Sequence, residues 1–287
     1  MNLYTKADFH TYYHVMPFYD GNEKNIIAVY ESSFRFQSYI AQAYQKIKDQ
    51  DFTHFFIVAD DLLINPALTE SNLLEKLGLE DDECFITNFY ELHLQKEVSY
   101  PLLYTIEKPG VEIKGIIPDY KEATILFNNH GLKTSKININ VMLRFMMMSL
   151  YSIVCNVFKF SKMKYWIIKF LKEVLFLLKG RRLKYPLVWG YSDVLIVTKD
   201  VMSKFCTYCG AFAATGLFVE HAIPTSLVLS APKIILDNQT KLQGLILGRG
   251  KTKQIFDEQY EFSLDKLTNE FPEKTFYIHP IKLSEWK

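Results

Sequence analysis

Residues 52–61 read FTHFFIVADD, an apolar run that ends in two acidic side chains. Aromatic and β-branched residues in a run of this length favour a strand, with Asp60 and Asp61 at its carboxyl end. Upstream, residues 25–30 (NIIAVY) form another strand pattern, and residues 36–47 place apolar side chains at helical spacing. Strand, helix and strand in this order predict an α/β fold, in which ligands bind at the carboxyl ends of strands.

The α/β pattern continues on both sides of a different, basic segment. A short helix is predicted over residues 68–77, closed by Gly78, and residues 84–132 are expected to add short strands and loops. After the basic segment come a strand at 194–197, a helix at 201–214 and a terminal strand from 275. We therefore expect three segments: residues 1–139 and 187–287 as two halves of one α/β domain, and 140–186 inserted between them.

The inserted segment combines apolar side chains with an excess of positive charge. Its first half, residues 141–158, is strongly apolar, but Arg144 and Asn156 interrupt it, so a clean bilayer span is not predicted. Its second half, residues 159–184, carries nine Lys and Arg against the single acid Glu173, interleaved with Trp and Phe. This pattern is typical of helices that lie on an anionic membrane surface. A helical hairpin packed on the core, with solvated lysines, is the alternative.

Composition narrows the class of protein. The chain has 287 residues, with 33 Lys and Arg against 32 Asp and Glu, so it lacks the basic excess of a general nucleic-acid binder. Its first residues contain no apolar signal-peptide run, which predicts a cytoplasmic protein with free thiols. Cys206 and Cys209 have metal-like spacing, but no second pair completes a tetrahedral site.

Three short motifs could carry chemistry. Asp60 and Asp61 could bind a divalent cation that bridges a diphosphate, or could simply end the strand and cap a turn. Glu220 lies in an otherwise apolar stretch and could act as a general base, or could be an acid that a helix N-terminus favours. Near the C-terminus, His279 could be a further metal ligand and Lys282 a phosphate contact, or both could belong to a solvated tail.

The order of these motifs resembles the GT-A class of glycosyltransferases. The resemblance implies a Rossmann-like mixed sheet flanked by helices, with Asp60 on the donor diphosphate, Asp61 and His279 on a manganese or magnesium ion, and Glu220 as catalytic base. It also implies that Glu31, Ser32 and Arg35, after the first strand, hold the nucleotide. Val58 departs from a fuller Asp-x-Asp-Asp pattern, which leaves the metal open.

The resemblance extends to the substrates and the place of action. A nucleotide-sugar would be the donor, and a glycan or lipid-linked glycan the acceptor, as in surface polysaccharide synthesis at the inner face of the cell membrane. Residues 190–193 (GYSD) form a second polar cluster, in which Asp193 could take part in catalysis or in binding the acceptor, or could cap a turn.

Other functions remain as alternatives. A sugar nucleotidyltransferase would need a glycine-rich phosphate loop after the first strand, where the sequence instead reads ESSFR at 31–35. A P-loop enzyme is disfavoured because Leu245 stands where that motif needs its first glycine. From a different class, a non-catalytic membrane-associated scaffold would explain the basic segment and would tolerate replacement of Asp60, Asp61 and Glu220.

Overall fold

A computed structural model describes residues 9, 11–94, 113–156, 159–183, 185–248, 250–282 and 285–286. The strands in this part of the chain are β1 (His14–Pro17), β2 (Ile26–Val29), β3 (His54–Val58), β4 (Leu63–Ile64), β5 (Cys84–Ile86), β6 (Tyr90–Glu91), β7 (Val188–Trp189), β8 (Val194–Thr198), β9 (Ile234–Leu236), β10 (Gln243–Ile246) and β11 (Thr275–His279). The α-helices are α1 (Phe36–Ile47), α2 (Leu73–Leu77), α3 (Tyr120–Asn129), α4 (Ile139–Cys155), α5 (Phe160–Leu178), α6 (Lys199–Ala214), α7 (Val219–Ser230), α8 (Lys251–Gln259) and α9 (Leu264–Asn269).

Strand β8 is the centre of a four-stranded sheet with the order β3-β8-β5-β9. It runs antiparallel to β3 and β5, while β9 runs parallel to β5. All five residues of β8 are buried, because the sheet is covered on both faces. Leu195 and Val197 pack with α6 and α7, whereas Val194 and Ile196 pack with the α2 side and β11. Burial on both faces explains why residues 194–198 are almost continuously apolar.

A second sheet, of three strands, brings the C-terminal part of the chain beside the first. Its order is β10-β11-β4, with β10 parallel and β4 antiparallel to β11. Tyr277 pairs with Ile64, and Ile278 pairs with Leu63. Because β4 follows β3 after only a few residues, the end of β11 comes close to the end of β3.

Helices α4 and α5 form a hairpin that is closed at its foot. Ile137 and Arg181 are joined there by two hydrogen bonds: the Ile137 N–H donates to the Arg181 carbonyl at 2.9 Å, and the Arg181 guanidinium donates to the Ile137 carbonyl at 3.0 Å. Met142 and Phe176 join the same core cluster as Val188 and Phe212. The hairpin is therefore a defined insertion whose foot packs on the α/β body.

The structure confirms a mixed α/β fold and corrects some local details. The two early strand patterns do not share a sheet: β2 pairs with β1, and β3 pairs antiparallel with β8. The predicted helix from residue 68 begins only at Leu73, and it ends as expected at Gly78, which has the left-handed φ of 77°. Residues 95–112, part of the predicted nucleotide-binding half, lie outside the described residues.

Two further sequence expectations concern the membrane and the cysteines. Among the helices that the structure describes, none combines the length and the apolarity that crossing a bilayer requires. All four cysteines are free, and Cys206 and Cys209 are buried on α6 within the core.

Candidate functional site

The antiparallel pairing of β3 with β8 brings two acidic side chains together. Val58 pairs with Val194, and the Ala59 N–H donates to the Asp193 carbonyl at 2.8 Å. The end of β3 therefore lies beside the start of β8, although the two segments are more than a hundred residues apart in sequence. Asp61 and Asp193 are both partly buried at this edge, while Asp60 is exposed.

His279 completes this group from the end of β11. The Ile281 N–H donates to the Asp61 carbonyl at 2.7 Å, which fixes the two segments relative to each other. His279 Nε2 lies 3.3 Å from Asp61 Oδ2 and 3.8 Å from Asp193 Oδ2. The imidazole thus faces both carboxylates at once.

Asp61, Asp193 and His279 are called the triad below. Glu220 lies near this triad, in the first turn of α7, and its charge acts on Asp193. The Gly190 N–H donates to the Glu220 carbonyl at 3.0 Å, and Trp189 Nε1 donates to Glu220 Oε2 at 2.9 Å. Gly190 has no room for a side chain, since a Cβ there would lie 2.1 Å from the carbonyl oxygen of Asn88. Glu220 is therefore held by the segment that leads into Asp193, and a stabilising interaction with the helix N-terminus accompanies this arrangement.

The charges of the group are coupled. The hydrogen bond with His279 lowers the pKa of Asp61 and outweighs the opposing effect of burial. Burial raises the pKa of Asp193; the charge of His279 opposes this shift, and the charges of Asp61 and Glu220 add to it. For His279, burial disfavours the charged ring, but the hydrogen bond to Asp61 and the two carboxylate charges raise its pKa overall.

The predicted nucleotide-binding residues form a separate local group before α1. Glu31 accepts hydrogen bonds from the Ser32 N–H at 2.8 Å and from Arg35 Nη1 at 3.1 Å. The Tyr39 hydroxyl donates to the Glu31 carbonyl, and burial raises the Tyr39 pKa, with the charges of Glu31 and Asp60 adding to the shift. Tyr39 therefore contacts the first group directly and lies within electrostatic range of Asp60.

Two contacts place the same segment beside the start of α7. Gln37 Nε2 donates to the Leu217 carbonyl at 2.7 Å, and a Cβ built on Gly216 would lie 3.8 Å from Arg35 Nη2. Lys282 lies on the other side of the site, where it forms an exposed ion pair with Glu285 at 3.3 Å, and its charge contributes to the low pKa of Asp61.

Several neighbours of the site were not predicted from the sequence. Trp189 binds Glu220, and the side chain of Asn88 accepts from the Tyr191 N–H at 3.1 Å. The buried hydroxyls of Thr87 and Tyr277 share a hydrogen bond of 2.7 Å. The available signal for Trp189 was its position directly before the GYSD cluster at 190–193. Nothing in the sequence distinguishes Asn88 or Thr87.

Asp61, Asp193 and His279 are arranged as an ion-paired cluster. In the part of the chain that the structure describes, no group of three or more His, Cys, Asp or Glu side chains could hold a metal ion. His279 Nε2 faces the carboxylates as their ion-pair partner, and the buried Nδ1 has no hydrogen-bond partner among the described residues. A cation at this place would have to replace the proton on Nε2, because a metal binds the neutral ring.

This arrangement can accept and hold protons at a partly exposed surface. Glu220 offers a carboxylate that is oriented by an indole N–H, and Asp61, Asp193 and His279 form a charged group beside it. No family model, curated protein or solved structure matches the chain, so the functional interpretation depends on this geometry.

Proposed function

We propose that the chain is a glycosyltransferase that moves a sugar from a nucleotide-sugar donor to a hydroxyl group of a glycan or lipid-linked glycan. The observation that carries the proposal is the convergence of Asp61, Asp193, Glu220 and His279, from four distant segments, at one edge of the sheet. Titratable groups that face one another at a partly buried edge are more often found at functional sites than elsewhere.

Glu220 is the proposed general base. As the acceptor hydroxyl attacks the anomeric carbon, its proton passes to Glu220, the new bond from oxygen to carbon forms, and the bond from carbon to the diphosphate oxygen breaks. The Trp189 N–H, 2.9 Å from Glu220 Oε2, holds the carboxylate in one orientation. A base that acts directly on the acceptor fits in-line displacement, with inversion at the anomeric carbon.

The donor would occupy the surface between the two groups described above. Glu31, Ser32 and Arg35 would bind the nucleotide, and Asp60 and Lys282 would face its diphosphate beside Asp61, whose pKa the charge of Lys282 helps to lower. Arg35 and Lys282, which pair with Glu31 and Glu285 in the structure, would exchange these partners for the oxygens of a diphosphate. Manganese or magnesium remains a sequence prediction, which the experiment below includes.

The hairpin supports a peripheral position on the inner face of the cell membrane, with a lipid-linked acceptor. Large apolar side chains are exposed on both of its helices, among them Tyr151, 72% exposed, and Leu178, 76% exposed. Its only acid between residues 159 and 184, Glu173, is buried, so the exposed charges of that stretch are positive. An exposed apolar surface surrounded by cations fits the interface of an anionic bilayer.

Ligand-induced thermal stabilisation tests the donor. The full chain is melted with a panel of nucleoside diphosphates and nucleotide-sugars, with and without manganese, because a ligand that binds only the folded state raises the melting temperature. We expect a selective increase with one nucleotide. We expect the increase to be lost in Asp61→Asn, which keeps the size of the side chain but removes its charge.

The matched control is Asp49→Ala, an exposed carboxylate that follows α1 outside the site; it should retain the full increase. An increase that appears only with manganese would favour a metal at Asp61. The absence of an increase with every nucleotide would contradict the glycosyltransferase proposal and favour a non-catalytic scaffold.

A further inference from the structure

An aromatic pair lies beside the proposed base. Tyr90 and Trp189 belong to the two-stranded ribbon of β6 and β7, where they are directly paired. Their rings stack at a centroid distance of 5.6 Å and an angle of 27°, which is typical of an offset stack that leaves part of each ring uncovered. Tyr90 is 49% exposed, so the pair presents an aromatic surface to solvent.

The position of this pair relative to Glu220 is fixed by short contacts. Trp189 Nε1 bonds the Glu220 carboxylate, and the next residue, Gly190, bonds the Glu220 backbone. The close approach of Gly190 to Asn88 fixes the other strand of the ribbon against the same segment. An exposed aromatic surface and a proton-accepting group are therefore held side by side.

We propose that Tyr90 and Trp189 form the subsite for a neutral pyranose ring of the acceptor; this inference rests on the proposed function and adds the acceptor's class and location. The C–H groups on a pyranose face carry slight positive charge and pack on the negative face of an aromatic ring. The hydroxyls at the rim of the same sugar can reach hydrogen-bond acceptors beside the ring, here the Glu220 carboxylate.

The charges around the pair favour a neutral ligand over an anionic one. Glu220, whose carboxylate accepts a hydrogen bond from Trp189 Nε1, lies directly beside the pair, and the charge of Glu220 also acts on Asp193, whose pKa it helps to raise. The Glu220 carboxylate, 2.9 Å from Trp189 Nε1, opposes the binding of a phosphate or a sugar acid on the same pair. A purely apolar ligand would cover the Glu220 carboxylate without offering it a hydrogen bond, which disfavours its binding. A polyhydroxylated neutral ring satisfies both conditions.

Fluorine NMR can test this subsite because the chain has only three tryptophans, Trp166, Trp189 and Trp286. The full chain is labelled with 5-fluorotryptophan, and Trp189→Phe identifies the Trp189 resonance. Neutral methyl pyranosides of the gluco, galacto, N-acetylgluco and rhamno series are titrated, with and without a mixture of nucleoside diphosphates. We expect at least one pyranoside to shift the Trp189 resonance selectively. Its binding should be roughly ten-fold weaker in Tyr90→Ala, because the sugar loses its contact with one aromatic ring.

Two variants separate stacking from general effects. Tyr90→Phe keeps the ring and should retain binding. Tyr165→Ala removes the partner of a second exposed pair, Tyr165 and Trp166 on α5, with centroids 5.4 Å apart, and should leave binding unchanged. A Trp189 resonance that no pyranoside moves, or equal affinity in Tyr90→Ala, would overturn the subsite. If nucleotides stabilise the chain but no pyranoside binds, the subsite is refuted and the proposed function stands. If a pyranoside binds but no nucleotide stabilises the chain, the proposed transferase function is refuted and the sugar-binding site stands.

Discussion

The strand-edge cluster and the α4–α5 hairpin use charge in opposite ways. In the cluster, the imidazole of His279 lies within 3.8 Å of the carboxylates of both Asp61 and Asp193 at a partly buried edge. In the hairpin, the cations that follow residue 158 are mostly exposed, while Glu173 is buried. One region concentrates charge at a single point of the sheet edge, and the other distributes it over the surface of two helices.

The two regions also differ in how they are built. The cluster depends on strand pairings between residues far apart in sequence, such as Val58 with Val194 and Ile278 with Leu63. The hairpin depends on two consecutive helices that pack against each other and are closed at Ile137 and Arg181. Substitutions in one region should therefore leave the function of the other unchanged, and the following predictions test that separation.

The largest effect is expected from Glu220→Gln. Removal of a general base typically lowers turnover by about 10²–10⁴-fold, because the acceptor hydroxyl loses the group that takes its proton. The substrate for the assay is the nucleotide-sugar that raises the melting temperature most. The rate at which nucleoside diphosphate is released from it measures the loss of turnover. The amide keeps an oxygen for the Trp189 N–H, so the fold should survive.

Two comparisons make the result specific. Nucleotide-induced stabilisation should be the same in Glu220→Gln as in the wild type, because donor binding does not use the base. Glu75→Gln, an exposed carboxylate on α2, should leave turnover unchanged. Full turnover in Glu220→Gln would exclude Glu220 as the base.

Much of the secondary structure could be predicted, because it follows from the spacing of apolar residues along the chain. The strand before Asp60, helix α1, the C-cap at Gly78 and the strand before His279 all follow from short apolar patterns and turn residues. The same holds for the helical hairpin, whose composition differs from the rest of the chain. Each of these features depends on neighbours within a few residues.

The assembly of the site was less predictable, because it depends on which strands pair. The sequence did not reveal that β3 runs antiparallel to β8, the pairing that brings Asp193 to Asp61. The bond from Trp189 to Glu220 spans 31 residues and likewise depends on tertiary structure. His279 could be named only because the order of motifs resembles a known class, since its own surroundings in sequence carry no metal or catalytic signature.

A smaller effect is expected when charge is removed from the hairpin. The exposed residues Lys162, Lys164 and Lys179 are replaced together by Gln. Each lysine near an anionic surface contributes about 1 kcal/mol, so partition onto phosphatidylserine vesicles should fall by roughly 100-fold. Flotation with vesicles at low and high salt measures the change, and salt should weaken wild-type binding as well.

A second triple variant separates location from net charge. Lys46, Lys76 and Lys274 are also exposed but lie outside the hairpin, and their replacement by Gln removes the same charge. It should leave vesicle binding nearly unchanged. Equal losses in both triple variants, or no binding of the wild type to anionic vesicles, would contradict a membrane surface on the hairpin. Neither triple variant should alter nucleotide-induced stabilisation.

The smallest expected effect compares two buried titratable groups, His221 next to Glu220 and Glu173 in the hairpin. His221, on α7 next to Glu220, is 2% exposed, and burial lowers its pKa from 6.5 to about 4, opposed by its hydrogen bond to the Val188 carbonyl. Between these values the unfolded chain binds the proton that the folded chain excludes. The contribution of His221 to stability is therefore present above pH 6.5 and decreases as the pH falls, by about 2 kcal/mol between pH 7 and pH 5.

Glu173 in the hairpin should show the opposite sign. Burial raises its pKa, with the charge of Lys169 opposing the shift, so the folded state holds a proton that the unfolded state loses. Its contribution to stability therefore decreases as the pH rises through the folded-state pKa. Urea unfolding of the wild type, His221→Gln and Glu173→Gln across this range isolates each contribution as a difference between wild type and variant, which cancels the other titrating groups. As the pH falls, the wild type should lose stability relative to His221→Gln and gain stability relative to Glu173→Gln. Changes of the same sign in both comparisons would contradict the pKa shifts that burial causes in these two groups.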